Sequence, residues 1–439
     1  MNRRHARAQR TRPWGFIAAS GAIACAVAAA ATVIALQPGS DGSQAATGPA
    51  PSSSASTPVD PAPTTDPTPE PTPEPVPDAE FTIVAAGDVL PHIPVLASAK
   101  SGGSYDFSPL LADLDPWIAG ADLALCHFEV PVAPAGVAPS GYPMFGTVAA
   151  LVDDLAAQGW DGCSTASNHS VDRGFGGLQA TLDAFDGAGL GHVGTARTER
   201  EAQEPQLYTL ERAGQAITVA QLSATYGTNG LPVPSDAPWS VQLIDADEIV
   251  AQAVAAREAG ADLVVVSMHA GTEYRTDPTP EQVALATALA ASGEIDLYIG
   301  HHAHVPQPIE LLPGGREGQG MWVAYGLGNM ISNQDTACCV AATASGLLVT
   351  ATVVKPADGP ARVSGVEWTA LGVDRVGGHR VHLLHAAAYG TNPGTLSSAQ
   401  WQDRYDALRA AVGTQAPERV AAPVATGDPA TVVQRMPPG

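Results

Sequence analysis

Three imidazoles stand within four residues at Gly300-His301-His302-Ala303-His304, directly after the short apolar run 296–299. Other chemistry-bearing side chains fall in the same way at the ends of apolar runs. Asp88 follows 81–86, His127 and Glu129 follow 122–126, and Asn168, His169 and Asp172 follow 162–166. His269, Glu273 and Tyr274 follow 262–268, and Asn329 follows 321–325. Carboxylates, imidazoles and an amide oxygen together suit borderline divalent ions such as Zn²⁺, Mn²⁺ or Fe²⁺. A carboxylate bridging two such ions about 3.5–4 Å apart activates water and clamps the oxygens of a displacement at phosphorus. Each residue alone has an ordinary reading: Gly87-Asp88 as a turn, Asn168-His169 as an Asx turn, His269 as a hydrogen-bonded core histidine. Six strand ends delivering the same kind of donor argue for one site. No P-loop pattern is present, so nucleotide-driven chemistry is not supported.

The runs themselves alternate with helical patterns. Apolar stretches at 81–86, 122–126, 162–166, 217–222, 262–268, 296–299 and 321–325 read as strands. Between or after them, 109–119, 148–158, 177–187, 246–259 and 281–292 read as helices. Strand then helix, repeated, is the pattern of an α/β sheet, and open α/β sheets carry their sites at the carboxyl ends of the strands. The stretches 347–354 and 362–370 flank Asp358-Gly359 and predict a hairpin closing one edge. A last helix is expected over 397–412, and the Pro/Ala-rich remainder is expected to be loose.

The amino-terminal part has a different character. Residues 1–13 carry five arginines and no acid, and 14–36 carry no charge. About 23 apolar residues span roughly 34 Å as a helix, enough for a bilayer core. Arginines before that span place the amino terminus in the cytoplasm and the rest outside. The expected organisation is therefore a basic tail (1–13), a transmembrane signal anchor (14–36), a Pro/Thr/Glu-rich disordered linker (37–80), a catalytic-type domain (81–385), and a carboxyl-terminal helix and tail (386–439). A cleaved signal peptide or a lipoprotein signal at Cys25 are the alternatives, and all three export the domain. The formal net charge of −23 excludes a general nucleic-acid-binding surface, which needs a basic footprint. In an exported protein, Cys126, Cys163, Cys338 and Cys339 suggest disulfides, with a Cys126–Cys163 bridge between neighbouring strands among the pairings.

The ordered motifs Gly87-Asp88, His127-Phe128-Glu129, Ser167-Asn168-His169 with Asp172 and Gly174, His269 with Gly271, Glu273 and Tyr274, Gly300 with His302, His304 and Val305, and Tyr325-Gly326-Leu327-Gly328-Asn329 resemble the CapA family. That family is associated with poly-γ-glutamate capsule synthesis and belongs to the calcineurin-like metallophosphoesterase superfamily. The resemblance covers about 81–332. It implies a four-layer α/β/β/α sandwich and two divalent metal ions. Asp88 and His304 would bind the first ion, Glu129 would bridge, and Asn168, His269 and His302 would bind the second. His169, with Asp172, would hydrogen-bond the transferring group or act as general acid, while His127, Glu273, Tyr274 and Asn329 would hold these groups in place.

Departures from the family pattern are His127 and Ser167 in place of asparagines, Ala270 in place of an aromatic residue, and Gly326 in place of serine. Leu90 stands where metallophosphoesterases place a histidine, with His92 nearby as a substitute. The implied role is an exported, membrane-anchored protein in the synthesis, transfer or anchoring of an anionic cell-surface polymer. Its expected partners are that polymer or a phosphoester, and membrane synthase subunits. A secreted metal-dependent phosphatase or nucleotidase without a capsule role, and a non-catalytic accessory subunit, are the alternatives.

Overall fold

The computed structural model describes residues 76–390 and 394–435. Strand β1 (Ala79–Val89) lies at the middle of an eight-stranded sheet. Strands β2 (Leu123–Phe128), β3 (Gly162–Ser164) and β4 (Gly191–Val193) follow it in parallel on one side. The crossovers carry helices α1 (Ala150–Gln158) and α2 (Gly174–Ala188). The chain then builds a second, seven-stranded sheet from β5 (Gln206–Arg212), β6 (Gln215–Thr225), β7 (Leu263–His269), β8 (Leu297–His301), β9 (Ile309–Leu312) and β10 (Met321–Ala324). Its helices are α3 (Ala246–Glu258) and α4 (Pro280–Ser292). Strands β11 (Asn329–Ile331), β12 (Ser345–Lys355), β13 (Arg362–Asp374) and β14 (Arg380–Leu383) return to the first sheet, with β11 parallel to β1 and β12 antiparallel to it. Helix α5 (Ser398–Val412) and strand β15 (Thr431–Val433), which pairs with β5, complete the chain.

Period-two alternation explains the layering. Phe81, Ile83 and Ala85 of β1 pack with Leu263, Val265, Leu297 and Ile299 of the second sheet in one core. Their neighbours Val84 and Ala86 face the other way, among Leu151, Leu155 and Phe185 of α1 and α2. On the far side, Val264 and Val266 meet Ile249 and Ala253 of α3 and Leu285 and Leu289 of α4. Two sheets thus share an inner core and each buries its outer face under helices, a mixed-sheet α/β arrangement.

Among the described residues no helix is long and apolar enough to cross a membrane. The fold class expected from the sequence, headed by a transmembrane segment, is corrected on this point. The single-pass topology, the membrane attachment and the extracellular placement derived from it are corrected with it. The longest described helices have 15 residues, about 22 Å at 1.5 Å per residue, short of a bilayer core of about 30 Å. The tail 1–13, the apolar run 14–36 and the linker up to residue 75 lie outside the described residues.

Two further expectations differ. The hairpin of β12 and β13 does not close the sheet, because β14 pairs outside it. The helix expected over 397–412 stands as α5, with Trp401, Tyr405, Leu408 and Val412 in the inner core, while the remainder beyond it is tied down rather than loose, β15 pairing with β5 and Thr426 N–H donating to Asp122 Oδ1 at 2.7 Å. The physical cause is an amphipathic stripe that finds the exposed end of that core. Cys126 and Cys163 stand opposite each other on β2 and β3 and form a disulfide, as do the adjacent Cys338 and Cys339.

Asp161, in the turn before β3, accepts the Ala124 N–H at 2.7 Å. Burial outweighs that bond and pushes its carboxyl from 3.8 up to about 7. A carboxyl raised on folding costs no stability below its unfolded value and lowers stability progressively as pH rises toward its folded value. Asp161→Asn is therefore expected to be more stable than the parent at pH 8, on the order of 1–4 kcal/mol at about 1.36 kcal/mol per unit, with the gap closing near pH 4. Urea unfolding at the two pH values checks this; an equal gap at both would contradict it.

Candidate metal centre

All the donors lie where carboxyl ends of strands from both sheets converge. Asp88 is near the end of β1, Glu129 follows β2, and Asn168 and His169 follow β3. His269 ends β7, and His302 and His304 follow β8. Close backbone approach holds these turns. A Cβ on Gly87 would lie 2.1 Å from the Gly328 carbonyl oxygen, and one on Gly300 would lie 1.9 Å from that of Tyr325. Only glycine fits at either place, which accounts for the Gly before Asp88 and the Gly before the histidine turn. Three non-glycine residues nearby have left-handed backbones: Tyr274 (φ 67°), His302 (φ 85°) and His304 (φ 57°). Such conformations are disfavoured for bulky side chains and gather where a site over-determines them.

The donors meet in two adjoining groups. In one, His304 Nδ1 lies 3.0 Å from Asp88 Oδ2, and its Nε2 lies 3.6 Å from Glu129 Oε1. In the other, His269 Nε2 lies 3.0 Å from Asn168 Oδ1, and the His302 ring sits 4.8 Å from that of His269. Asp88, Glu129 and His304, then Asp88, His127 and His269, and then Glu273, His302 and His304, each bring ligand atoms within 4.8 Å of one another. These overlapping groups form a candidate dinuclear metal site.

The fit to cations is visible in what the protein leaves unpaired. Both carboxylate oxygens of Glu129, Oδ1 of Asp88, and Nδ1 of His301 and His302 are buried without a hydrogen-bond partner. Buried carboxylate oxygens in that state are costly unless a cation meets them. The two carboxyls respond in opposite directions. Burial would raise Asp88, but the imidazoles of His301 and His304 beside it outweigh burial and hold it well below the usual range. Burial, aided by the Asp88 charge, raises Glu129 well above its usual value. Burial would depress His304, yet the Glu129 and Asp88 charges push it up to about 9. His302 is pushed down to about 3 by burial and the His304 charge, and burial holds His127 and His269 well below the usual imidazole range.

The supporting residues are placed as follows. His127 Nδ1 meets Ser164 Oγ at 2.7 Å and its Nε2 meets His269 Nδ1 at 2.9 Å. With His269 Nε2 turned to a cation, the consistent assignment has His269 Nδ1–H donating to His127 and His127 Nδ1–H donating to Ser164. Asn329, in register with Asp88, accepts from His304 Nδ1 at 3.1 Å and donates to Thr343 O at 2.8 Å and Gln334 Oε1 at 2.9 Å. His169 Nδ1 meets Asp172 Oδ2 at 2.6 Å, and that oxygen also accepts the Phe145 N–H at 2.7 Å. Tyr274 N–H donates to Ala303 O at 2.8 Å, bracing the histidine turn. Glu273 is the exposed member of its group.

Two residues join the site beyond those given a role by the resemblance. His301, one of the three imidazoles of the turn, places Nδ1 3.3 Å from Asp88 Oδ1 and stacks on His127 with centroids 4.0 Å apart. Tyr226 packs on His302 at 4.5 Å; it directly follows β6, so the strand-end rule applied to that run would have found it. His92 takes no part in the candidate groups. Its Nδ1 meets Leu90 O at 3.0 Å, and His301 is the imidazole beside Asp88 instead.

A cavity of about 690 Å³ opens over the centre. Among the described residues lining it, Asp172 and Glu273 are acidic and none is Lys or Arg. To an anionic polymer these walls offer no Lys or Arg among the described residues, only the imidazoles of His92 and His169. With no membrane-crossing helix among the described residues either, the expected role as a membrane-anchored capsule-polymer protein, with an anionic polymer and a membrane synthase as partners, is corrected. The candidate metal clusters give the chain catalytic potential.

Comparison with known proteins places the chain. It is 32% identical over 173 residues to the PGA biosynthesis protein CapA of Bacillus subtilis, covering 39% of this chain and 42% of that protein. It is 32% identical over 183 residues to a probable polyglutamine synthesis accessory protein of Mycobacterium tuberculosis, covering 39% of this chain and 45% of that protein. The matched stretch thus covers less than half the length of these curated relatives. Among solved structures, the NAD nucleotidase of Haemophilus influenzae is similar at a TM-score of 0.44 and 13% identity, over 78% of this chain and 65% of that one. A calcineurin-like phosphoesterase of Bacillus subtilis is similar at a TM-score of 0.39 and 14% identity, over 76% and 97% respectively. The family model for the bacterial capsule synthesis protein PGA_cap matches residues 82–334, more than half of the chain, and the chain belongs to that family.

Proposed function

We propose that this protein is a metal-dependent hydrolase of phosphoesters. The observation that carries the reading is the set of buried, unpartnered donor atoms on Glu129, Asp88, His301 and His302, a hole in the polar network shaped for cations. In this reading Asp88 and His304 would hold a first divalent ion with His301 beside them, Asn168, His269 and His302 would hold a second, and Glu129 would serve both. Mn²⁺, Zn²⁺ and Fe²⁺ all suit these donors. Bound there, such ions supply an activated water and charge neutralisation at a phosphoryl group.

The chain's own residues do the rest. His169 lines the cavity, and its Nδ1 is held by Asp172 at 2.6 Å. That contact orients the ring so that Nε2 carries a proton toward the leaving oxygen, the task of a general acid. His127 fixes the ring of His269 through the 2.9 Å contact, and Asn329 fixes that of His304.

The purified chain reconstituted with Mn²⁺ or Zn²⁺ is expected to hydrolyse 4-nitrophenyl phosphate or its bis ester. Chelation should remove the activity, and metal return should restore it. His304→Ala should abolish it. A protein that holds its full complement of metal and turns over neither ester would overturn the hydrolase reading in favour of a binding role.

A further inference from the structure

The cavity above the centre is far larger than a phosphoryl group, and its walls describe what else it takes. At about 690 Å³ it is in the range of pockets that enclose a whole small organic ligand. Tyr142, Met144, Leu231 and Tyr274 supply apolar and aromatic wall. Tyr142 is 81% exposed and Met144 39% exposed, so both present free surface at the mouth. The carboxylates on the wall are Asp172, which is engaged by His169 at 2.6 Å, and Glu273; His92 and His169 are its imidazoles, and there is no Lys or Arg among the described lining residues. Cations near the mouth are engaged elsewhere: Arg173 donates to Phe145 O and Ser140 Oγ, and Arg375 pairs with Asp335. Arg275 is exposed and outside the lining.

We infer that the cleft selects phosphoesters whose organic group is aromatic or apolar and carries no negative charge. The inference rests on the hydrolase reading above. A phosphoryl group has its charge met at the metal centre. A second negative charge further out would face Glu273 with no Lys or Arg among the described lining residues to offset it, and like-charge juxtaposition is how sites reject a wrong ligand. An aryl group instead finds ring faces at Tyr142 and Tyr274, and a cationic substituent finds both those faces and the Glu273 carboxylate.

Three non-hydrolysable probes separate these cases: phenylphosphonate, and its para-trimethylammonium and para-carboxylate derivatives. Each is titrated calorimetrically into the full chain loaded with Mn²⁺. The carboxylate probe is expected to bind at least about tenfold more weakly than phenylphosphonate, a discrimination ordinary for a pocket built against one substituent, and the ammonium probe at least as tightly. Met144→Lys, which adds a cation to the wall, should narrow the carboxylate gap. Equal binding of the carboxylate probe, an unchanged gap in Met144→Lys, or no binding of any probe would each overturn the inference. The order of binding without turnover of the corresponding phosphate esters would remove the hydrolase reading alone. Turnover of those esters with no preference among them would remove this inference alone.

Discussion

Glu129→Gln is expected to cost the protein both metal ions and to lower phosphoester turnover by roughly 10³-fold or more, while leaving the metal-free chain no less stable than the parent. Glu129 is 1% exposed, and neither of its oxygens has a hydrogen-bond partner. In the metal-free protein this carboxyl therefore gives up its hydration and receives little in return, which is destabilising. With cations bound, the same oxygens would meet positive charge: Oε1 lies 3.6 Å from His304 Nε2, and in the reading proposed above Glu129 would stand between the two ions. Glutamine keeps the shape and removes the charge. A metal contribution of several kcal/mol to the transition state, at about 1.36 kcal/mol per tenfold, sets the size of the loss. Elemental analysis, turnover and urea unfolding of the metal-free forms together check it. Two retained equivalents of metal in the variant would contradict the bridging role, and a large loss of metal-free stability would mean that Glu129 is structural.

The second large effect lies at the other end of the same strand. Asp122→Ala is expected to cost about 3–5 kcal/mol of stability, the usual consequence of removing one partner of a buried ion pair. Asp122 Oδ1 pairs with Arg212 Nη2 at 2.8 Å, with side chains 0% and 4% exposed. It also accepts the Thr426 N–H at 2.7 Å, and Oδ2 accepts the Thr82 N–H at 2.7 Å. One carboxylate thus ties β1 of the first sheet, β5 of the second and the carboxyl-terminal segment together. Deleting it strands a buried guanidinium and several N–H donors. Asp122 and Glu129 flank the six residues of β2, which puts them about 23 Å apart at roughly 3.3 Å per residue. Whatever fraction remains folded should therefore keep its metal content. Urea unfolding checks the loss; a cost under about 1 kcal/mol would show that the tie is dispensable.

The two variants probe different levels of what the chain encodes. Donor residues at strand ends were legible because burial on both faces makes a strand read as a continuous apolar run, and the polar residue that ends the run is conspicuous. The run 262–268 ending in His269 and the run 296–299 ending in the histidine turn both stand in the structure as β7 and β8. Short or solvent-edged strands such as β9, β11 and β15 carry too few residues to show a period, and only pairing with a neighbour makes them strands. The same limit hid the packed carboxyl-terminal segment, whose partner at Asp122 is 304 residues away.

By itself, then, the sequence determined which donors exist, that they cap strands, and that glycines precede Asp88 and the histidine turn. Tertiary structure decided which donors meet. His301 rather than His92 stands beside Asp88, His127 serves His269 from 142 residues away, and the cavity above them is walled by tyrosines and carboxylates without a lysine or arginine among the described lining residues. The physical reason is that periodicity records only which face of an element is buried. Contacts between elements depend on sheet order and register, which are set when the two sheets close on their common core.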